Sequence, residues 1–466
     1  MSESLIQKQA DVQGLATAIL LPSVDLFGEP VRNTMGPMTQ VVGVGLFQRT
    51  VLTLQRAGIR QLIVLVGPEE EQLKESLGRG PRVTIPVRWM PIREFPLDDP
   101  RTWEVLAAEV RGFCLLSGVG GVFSRSLIEQ LRQDVQEGQA IVVARDSSPD
   151  STRYSSTGSP SPSFSNLSGQ ESGLVATDLI VLPVTLLSGA GRMAGELSSF
   201  PIRRWLERAA AEGQVRVVKA GTNSADWYQQ IRTISDIRAA ERNLFSSLKG
   251  EFEGFVDRYF NRKVSRWFTR GFLRLGSSPN TITMISTAVG LAAAVGFGFG
   301  SYAAGVVAAL LFQLAAVIDC CDGEVARLTF TESPFGAWLD IAMDNVVHMA
   351  VFVGIAVGAF VQHAGGQRSW FPLVLGATAV LGNALSFALV NRAQKIKLAS
   401  TCHTSVREAW SEFIVKNVAS RDFSVIVLLF ALCGALDWFL WIAAIGSIVF
   451  AMIMVWVLRP SAISRA

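Results

Sequence analysis

Residues 319–344, DCCDGEVARLTFTESPFGAWLDIAMD, set the strictest limit on how this chain can fold. Four aspartates, Asp319, Asp322, Asp340 and Asp344, fall in this one segment, and apolar runs long enough to cross a bilayer flank it. On helices, Asp319 and Asp322 share a face, as do Asp340 and Asp344. Two carboxylates about 5–6 Å apart repel by roughly 3 kcal/mol at an effective dielectric of about 20. One Asp at mid-membrane costs about 2.5–3.5 kcal/mol. A divalent cation turns that repulsion into coordination, and hard ions such as Mg2+ take oxygen ligands. Ionisable residues in a membrane segment are functional candidates by default.

The neighbours of the aspartates add detail. Gly323 and Ala326 let a bulky ligand approach the backbone, and Arg327 carries a fork suited to phosphate. Ser333-Pro334 breaks the helix, and Gly336 opens the next one, which returns with Asp340 and Asp344. Carboxylates for a metal, a phosphate-binding fork and a polar groove at the membrane edge suggest phosphoryl-group transfer.

Written as D-x2-D-G-x2-A-R-x8-G-x3-D-x3-D, the segment resembles the signature of the CDP-alcohol phosphatidyltransferase superfamily, with all fixed positions at matching gaps. The resemblance implies a centre of two Mg2+ (or Mn2+) ions held by Asp319, Asp322 and Asp340 and shared with Asp344. It implies that Asp344 is the base that deprotonates the attacking hydroxyl, and that Gly323, Ala326, Arg327 and Gly336 shape the nucleotide site. Asn280 and Thr283, in the preceding SSPNTIT stretch, border that site by the same resemblance.

The second half of the chain reads as an all-α membrane domain, 281–466. Apolar stretches at 281–299, 302–328, 335–361, 371–391, 422–437 and 438–458 give six expected transmembrane helices. Basic residues collect on one side, in the 258–274 cluster, at 392–421 and at Arg459, which puts both termini and the aspartates on the cytoplasmic face. Arg392, Lys395 and Arg421 at that mouth are candidates for binding an acceptor or donor phosphate, with simple anchoring as the alternative. Before the first span, Val264, Trp267, Phe268, Gly271, Phe272 and Leu275 recur on one helical face among arginines and a lysine. This predicts an interfacial amphipathic helix on the lipid bilayer. His348 lies one turn past Asp344 and is read as packing or hydrogen-bonding. The five cysteines show no metal or disulfide spacing.

Residues 1–240 alternate short apolar runs with amphipathic segments, which predicts a soluble α/β domain on a doubly wound sheet. Expected strands are 16–22, 61–67, 112–118, 139–145, 178–184 and 215–220, with helices at 46–58 and 124–136. A Ser/Pro/Gly-rich tract, 146–173, reads as a surface loop. The N-terminus is polar and acidic, unlike a secretory signal. The order of elements and the phrase LFQRTVLTLQRAGIRQLIVLVG resemble the sugar-phosphate nucleotidyltransferase fold. Against that pattern, Gly36 stands where a lysine is expected, and Gly120 and Arg232 stand where metal-binding aspartates are expected. Without those carboxylates nothing holds Mg2+ against a triphosphate, so this nucleotidyltransferase-like domain is expected to be inactive.

The fusion of such a domain, through a junction at 241–280, resembles the bifunctional inositol-1-phosphate cytidylyltransferase/di-myo-inositol-phosphate-phosphate synthase branch. That branch implies a CDP-alcohol donor, CDP-inositol or CDP-diacylglycerol, and a polyol or polyol-phosphate acceptor such as inositol phosphate. CMP leaves, and the superfamily is often homodimeric. The net charge of +3 does not suggest a nucleic-acid binder. An active bifunctional enzyme and a non-enzymatic transporter or scaffold stay open as alternatives.

Overall fold

The computed structural model describes residues 14–22, 35–78, 83–135, 139–146, 174–187, 206, 209–210, 212–221, 225–248, 262–362, 369–399 and 423–458. The chain divides into two units, Met1–Leu248 and Lys249–Ala466. Arg421 and residues 147–173 lie outside the described residues, as do the side chains of Arg392 and Lys395.

The first unit is α/β. Its strands and helices run β1 (Leu15–Leu21), β2 (Gln40–Val41), β3 (Val44–Gly45), α1 (Leu46–Arg56), β4 (Gln61–Val66), α2 (Glu70–Gly78), β5 (Val87–Pro91) and α3 (Pro100–Glu109). They continue with β6 (Phe113–Gly118), β7 (Gly121–Phe123), α4 (Arg125–Gln133), β8 (Ala140–Asp146), β9 (Leu174–Pro183), β10 (Val215–Lys219), β11 (Tyr228–Gln230) and α5 (Ile234–Ser247). Local chemistry fixes the helix starts. The Asp99 carboxylate accepts from the Arg101 N–H with Pro100 in the first turn, Ser124 caps α4, and Thr233 and Asp236 form a reciprocal capping box on α5.

Seven strands form one sheet in the order β10-β8-β9-β6-β1-β4-β5. All pairs are parallel except those of β9, which runs antiparallel to both β6 and β8. The sheet is therefore mixed. Continuous apolar runs such as QLIVLV predict burial on both faces but not strand direction. The edge strand β5 escapes sequence reading because it carries Arg88 and ends in Pro91, as an edge permits. Ile19, Ile63, Leu116, Val142 and Ile180 line one face of the sheet and pack with Trp103 and Leu106 of α3.

The second unit is helical: α6 (Arg262–Arg274), α7 (Pro279–Phe297), α8 (Tyr302–Thr329), α9 (Pro334–Gln362), α10 (Phe371–Ala399), α11 (Phe423–Leu432) and α12 (Leu436–Leu458). Five of these, α7, α8, α9, α10 and α12, are long and apolar enough to cross a membrane. The stretch expected at 422–437 holds only the ten residues of α11 before Gly434 turns the chain at φ +66°. Phe312, Val351, Phe352, Ile355, Val427 and Phe439 centre the bundle. Glycine sets the closest approach. A Cβ on Gly354 or Gly358, four residues apart on α9, would fall onto the carbonyl oxygens of Ala294 and Phe297 in α7, the small-residue contact by which apolar helices approach without a hydrophobic driving force.

The amphipathic helix expected before the first span forms as α6. Its six apolar residues do not share one environment. Phe268 and Phe272 pack on Ile282, Ile318, Cys321 and Val325 of α7 and α8, while Trp267 and Leu275 are 72% and 79% exposed. A helix that docks on protein along one edge has its apolar arc split between protein and surroundings, a division that periodicity alone does not reveal.

Candidate active site

The α8–α9 hairpin builds the site. Helix α8 ends at Phe330, which takes a left-handed conformation at φ 62° and gives its N–H to the Ala326 carbonyl. Helix α9 starts at Pro334, where the Ser333 hydroxyl accepts from the Gly336 N–H at 3.0 Å. The helices run back antiparallel. At about 1.5 Å rise per residue, Asp319 and Asp344 each lie roughly 15 Å from the turn. Asp322 and Asp340 each lie about 10 Å from it. Helix α7 packs against both helices, and the return of the chain brings Asp319 of α8 to Asp340 and Asp344 of α9.

Ligand oxygens of Asp319, Asp340 and Asp344 lie within 4.8 Å of one another. Asp319 is buried, and Asp340 and Asp344 are half-buried. The donor set is all carboxylate oxygen, which suits a hard divalent cation. Asp322 is buried beside this group, and its carboxylate accepts a hydrogen bond from the Thr283 hydroxyl at 2.5 Å. Thr283, expected at the nucleotide site, therefore supports an aspartate from α7. Ser286, one turn along α7, donates to Asp319 at 3.4 Å. Sequence reading missed Ser286. Its only signal was a small polar residue three positions from Thr283 in an apolar helix.

The other expected residues line the same end of the hairpin. The Arg327 guanidinium lies over Gly323, 3.5 Å from where a Cβ would sit. Asn280, at the start of α7, brings its side-chain oxygen to 3.2 Å from a Cβ position on Gly336. Ala326 is buried on the same turn as Arg327. A cavity of about 50 Å3 runs inward from Asp319 and Asp344, edged by Ser286, Thr287, His348 and Ser424. The His348 ring packs edge-on against Phe423 at 4.8 Å and Phe312 at 6.1 Å.

In the first unit the strand ends are arranged differently. Asp178 on β9 accepts from the Gly120 N–H at 2.9 Å and from the Tyr228 hydroxyl. The Tyr228 ring fills the space that a side chain at Gly121 would need. Burial, and then the Asp178 charge, push the Tyr228 hydroxyl well above the usual tyrosine range. Arg232, at the second expected metal position, gives its N–H to Asp236 at 3.0 Å, within the α5 cap. Gly36 forms a turn in which its carbonyl accepts from Thr39 at 2.9 Å.

A family model for CDP-alcohol phosphatidyltransferase matches residues 277–457. A phosphatidylinositol phosphate synthase of Streptomyces avermitilis is 30% identical over 200 residues, 41% of this chain and 76% of that relative. The chain belongs to the CDP-alcohol phosphatidyltransferase family. It is an enzyme, a transferase of phosphorus-containing groups from CDP-alcohol donors to alcohol acceptors, and its apolar helices make it an integral membrane protein. A bifunctional IPC transferase and DIPP synthase of Rubrobacter xylanophilus is 28% identical over 378 residues, 79% of this chain and 82% of that relative. A protein of the same description from Archaeoglobus fulgidus is 34% identical over 131 residues, 28% of this chain and 26% of that relative. The solved inositol-1-phosphate CTP transferase of T. maritima covers 49% of this chain and 96% of its own, at 13% identity and a TM-score of 0.34.

Proposed function

We propose that this enzyme transfers a phospho-alcohol or phosphatidyl group from a CDP-linked donor to inositol phosphate or a related polyol, releasing CMP, in a metal-dependent reaction at Asp319, Asp322, Asp340 and Asp344. The observation that carries it is the meeting of Asp319, Asp340 and Asp344 oxygens within 4.8 Å. Three ionised carboxylates that close repel strongly, and a cation offsets the cost. These residues, with Asp322, would hold Mg2+ or Mn2+, which when bound neutralises pyrophosphate charge.

The chain's own groups divide the remaining work. Thr283 and Ser286 orient Asp322 and Asp319 by hydrogen bonds from α7. Gly323, Ala326 and Gly336 leave room for the nucleotide, with Asn280 beside Gly336 and Arg327 set to pair with a phosphate. Asp344 takes the proton of the attacking acceptor hydroxyl. Arg392, Lys395 and Arg421 are assigned to phosphate recognition at the cytoplasmic mouth by charge and position in the sequence alone. Helix α6 lies at the lipid surface, with exposed Trp267 and Leu275 in the acyl boundary and Arg266, Arg270 and Arg274 toward anionic headgroups. The first unit is inactive in nucleotidyl transfer, because Gly120 and Arg232 stand where metal-binding carboxylates are needed.

The test is CMP release by purified full-length protein given CDP-diacylglycerol or CDP-inositol with inositol phosphate. Release in Mg2+ or Mn2+, its loss on chelation and its return with added metal are expected. No release from either donor would overturn the substrate assignment. The relative from Rubrobacter xylanophilus, described as bifunctional, favours a second reading in which the first unit also activates its donor. CTP turnover by the full chain in the presence of inositol phosphate would establish that reading and displace the inactive one.

A further inference from the structure

On the side of α8 away from the aspartates, Glu324 is 3% exposed within a helix of apolar residues. It falls outside the fixed positions of the 319–344 motif. Both of its carboxylate oxygens accept hydroxyl hydrogen bonds from α6: Ser265 to Oε1 at 2.9 Å and Thr269 to Oε2 at 2.7 Å. Ser265 and Thr269 are fully buried and four residues apart, one turn of α6. Around the clamp, Phe268, Phe272 and Leu273 of α6 close over Ile318, Cys321 and Val325 of α8, and the Cys321 thiol donates to the Ser265 carbonyl at 3.5 Å. At 100° per residue, Glu324 points about 140–160° away from Asp319 and Asp322.

An apolar contact alone would let α6 slide or rotate on α8, since dispersion is non-directional. Two hydroxyl donors on one carboxylate fix register and rotation together. We propose that Glu324 is a positioning residue for the phosphotransfer reaction: it locks α6 to α8 and so fixes the rotation of the α8 end that carries Asp319, Asp322, Gly323 and Arg327. Because Trp267 on α6 stays exposed while Phe268 and Phe272 pack on α7 and α8, the helix can meet a lipid surface and hold α8 at once. The proposal rests on the catalytic reading of the aspartates given above.

The test uses full-length protein in phosphatidylcholine/phosphatidylglycerol vesicles, in a background where Cys114, Cys320, Cys402 and Cys433 are alanine. Two readouts are taken: CMP release kinetics and the labelling rate of Cys321 by a maleimide. Glu324→Gln keeps an acceptor oxygen and is expected to hold kcat/KM within threefold of the parent. Glu324→Leu and the pair Ser265→Ala/Thr269→Val are expected to lose at least tenfold in kcat/KM and to label at least tenfold faster. If Glu324→Leu does not fold, the α6-side pair carries the test. Faster labelling with unchanged kcat/KM overturns the proposal, as does unchanged labelling, or a folded Glu324→Gln as impaired as Glu324→Leu. A parent protein that releases no CMP breaks the reaction assignment instead, while labelling still reports whether Glu324 holds α6.

Discussion

Two acidic regions of this molecule have opposite designs. In the first unit, Asp178 stands within β9 beside the end of β6, with one oxygen taken by the Gly120 N–H and the other by the Tyr228 hydroxyl. In the membrane unit, Asp319, Asp340 and Asp344 turn their oxygens toward one another. A buried carboxylate whose oxygens meet protein donors is stabilised in place and holds structure together. Carboxylates aimed at each other repel, and in the function proposed above a cation offsets that cost. Burial alone does not separate the cases; the identity of the nearest partner does. Glu324 belongs with Asp178 by this criterion, although it lies five residues from Asp319 in sequence.

The sharpest way to break the comparison is Asp344→Asn. It removes the proposed base and one facing carboxylate, and CMP release should fall about 10³-fold, within the range for a general base; retained turnover would move the base elsewhere. Next is Thr283→Val, which leaves Asp322 without its hydroxyl donor. A hydrogen bond to a charged group contributes about 1.5–3 kcal/mol, so kcat/KM should drop roughly tenfold or more, with the metal concentration for half-activity rising. Tyr228→Phe probes the other design. It should destabilise the first unit by about 1–3 kcal/mol in denaturant unfolding while CMP release stays within about twofold.

A pH titration sharpens the same point with a smaller signal. The Tyr228 hydroxyl is held above its usual range by burial and by Asp178. The folded state therefore keeps a proton that the unfolded chain gives up at a pH of about 10. The stability this contributes is whole below that pH and fades as the pH rises further. Tyrosinate absorbance from Tyr228 should appear together with unfolding, and Tyr228→Phe should remove that part of the alkaline slope.

Much of the molecule was legible in the chain. Apolar runs of four to eight residues marked β1, β4, β6 and β8, because burial on both faces demands them. The motif from Asp319 to Asp344 marked the family, because helical spacing and a proline break fix where four carboxylates go. Less was legible where a side chain's partner lies far away in sequence. Nothing near Thr283 shows that its hydroxyl meets Asp322, 39 positions on. Nothing near Asp178 shows Tyr228, 50 positions on. The amphipathic arc of α6 could be read as one face, yet Phe268 and Trp267 have different neighbours, because packing against α8 occupies only part of the arc.

By itself, then, the sequence determined which segments are apolar enough to span, where the helices break and which acids travel together, since these follow from local periodicity and backbone sterics. Only the tertiary structure decided which acids face each other and which are answered by a hydroxyl or an amide. That choice depends on distances of a few ångströms between residues tens of positions apart, which the order of amino acids does not state.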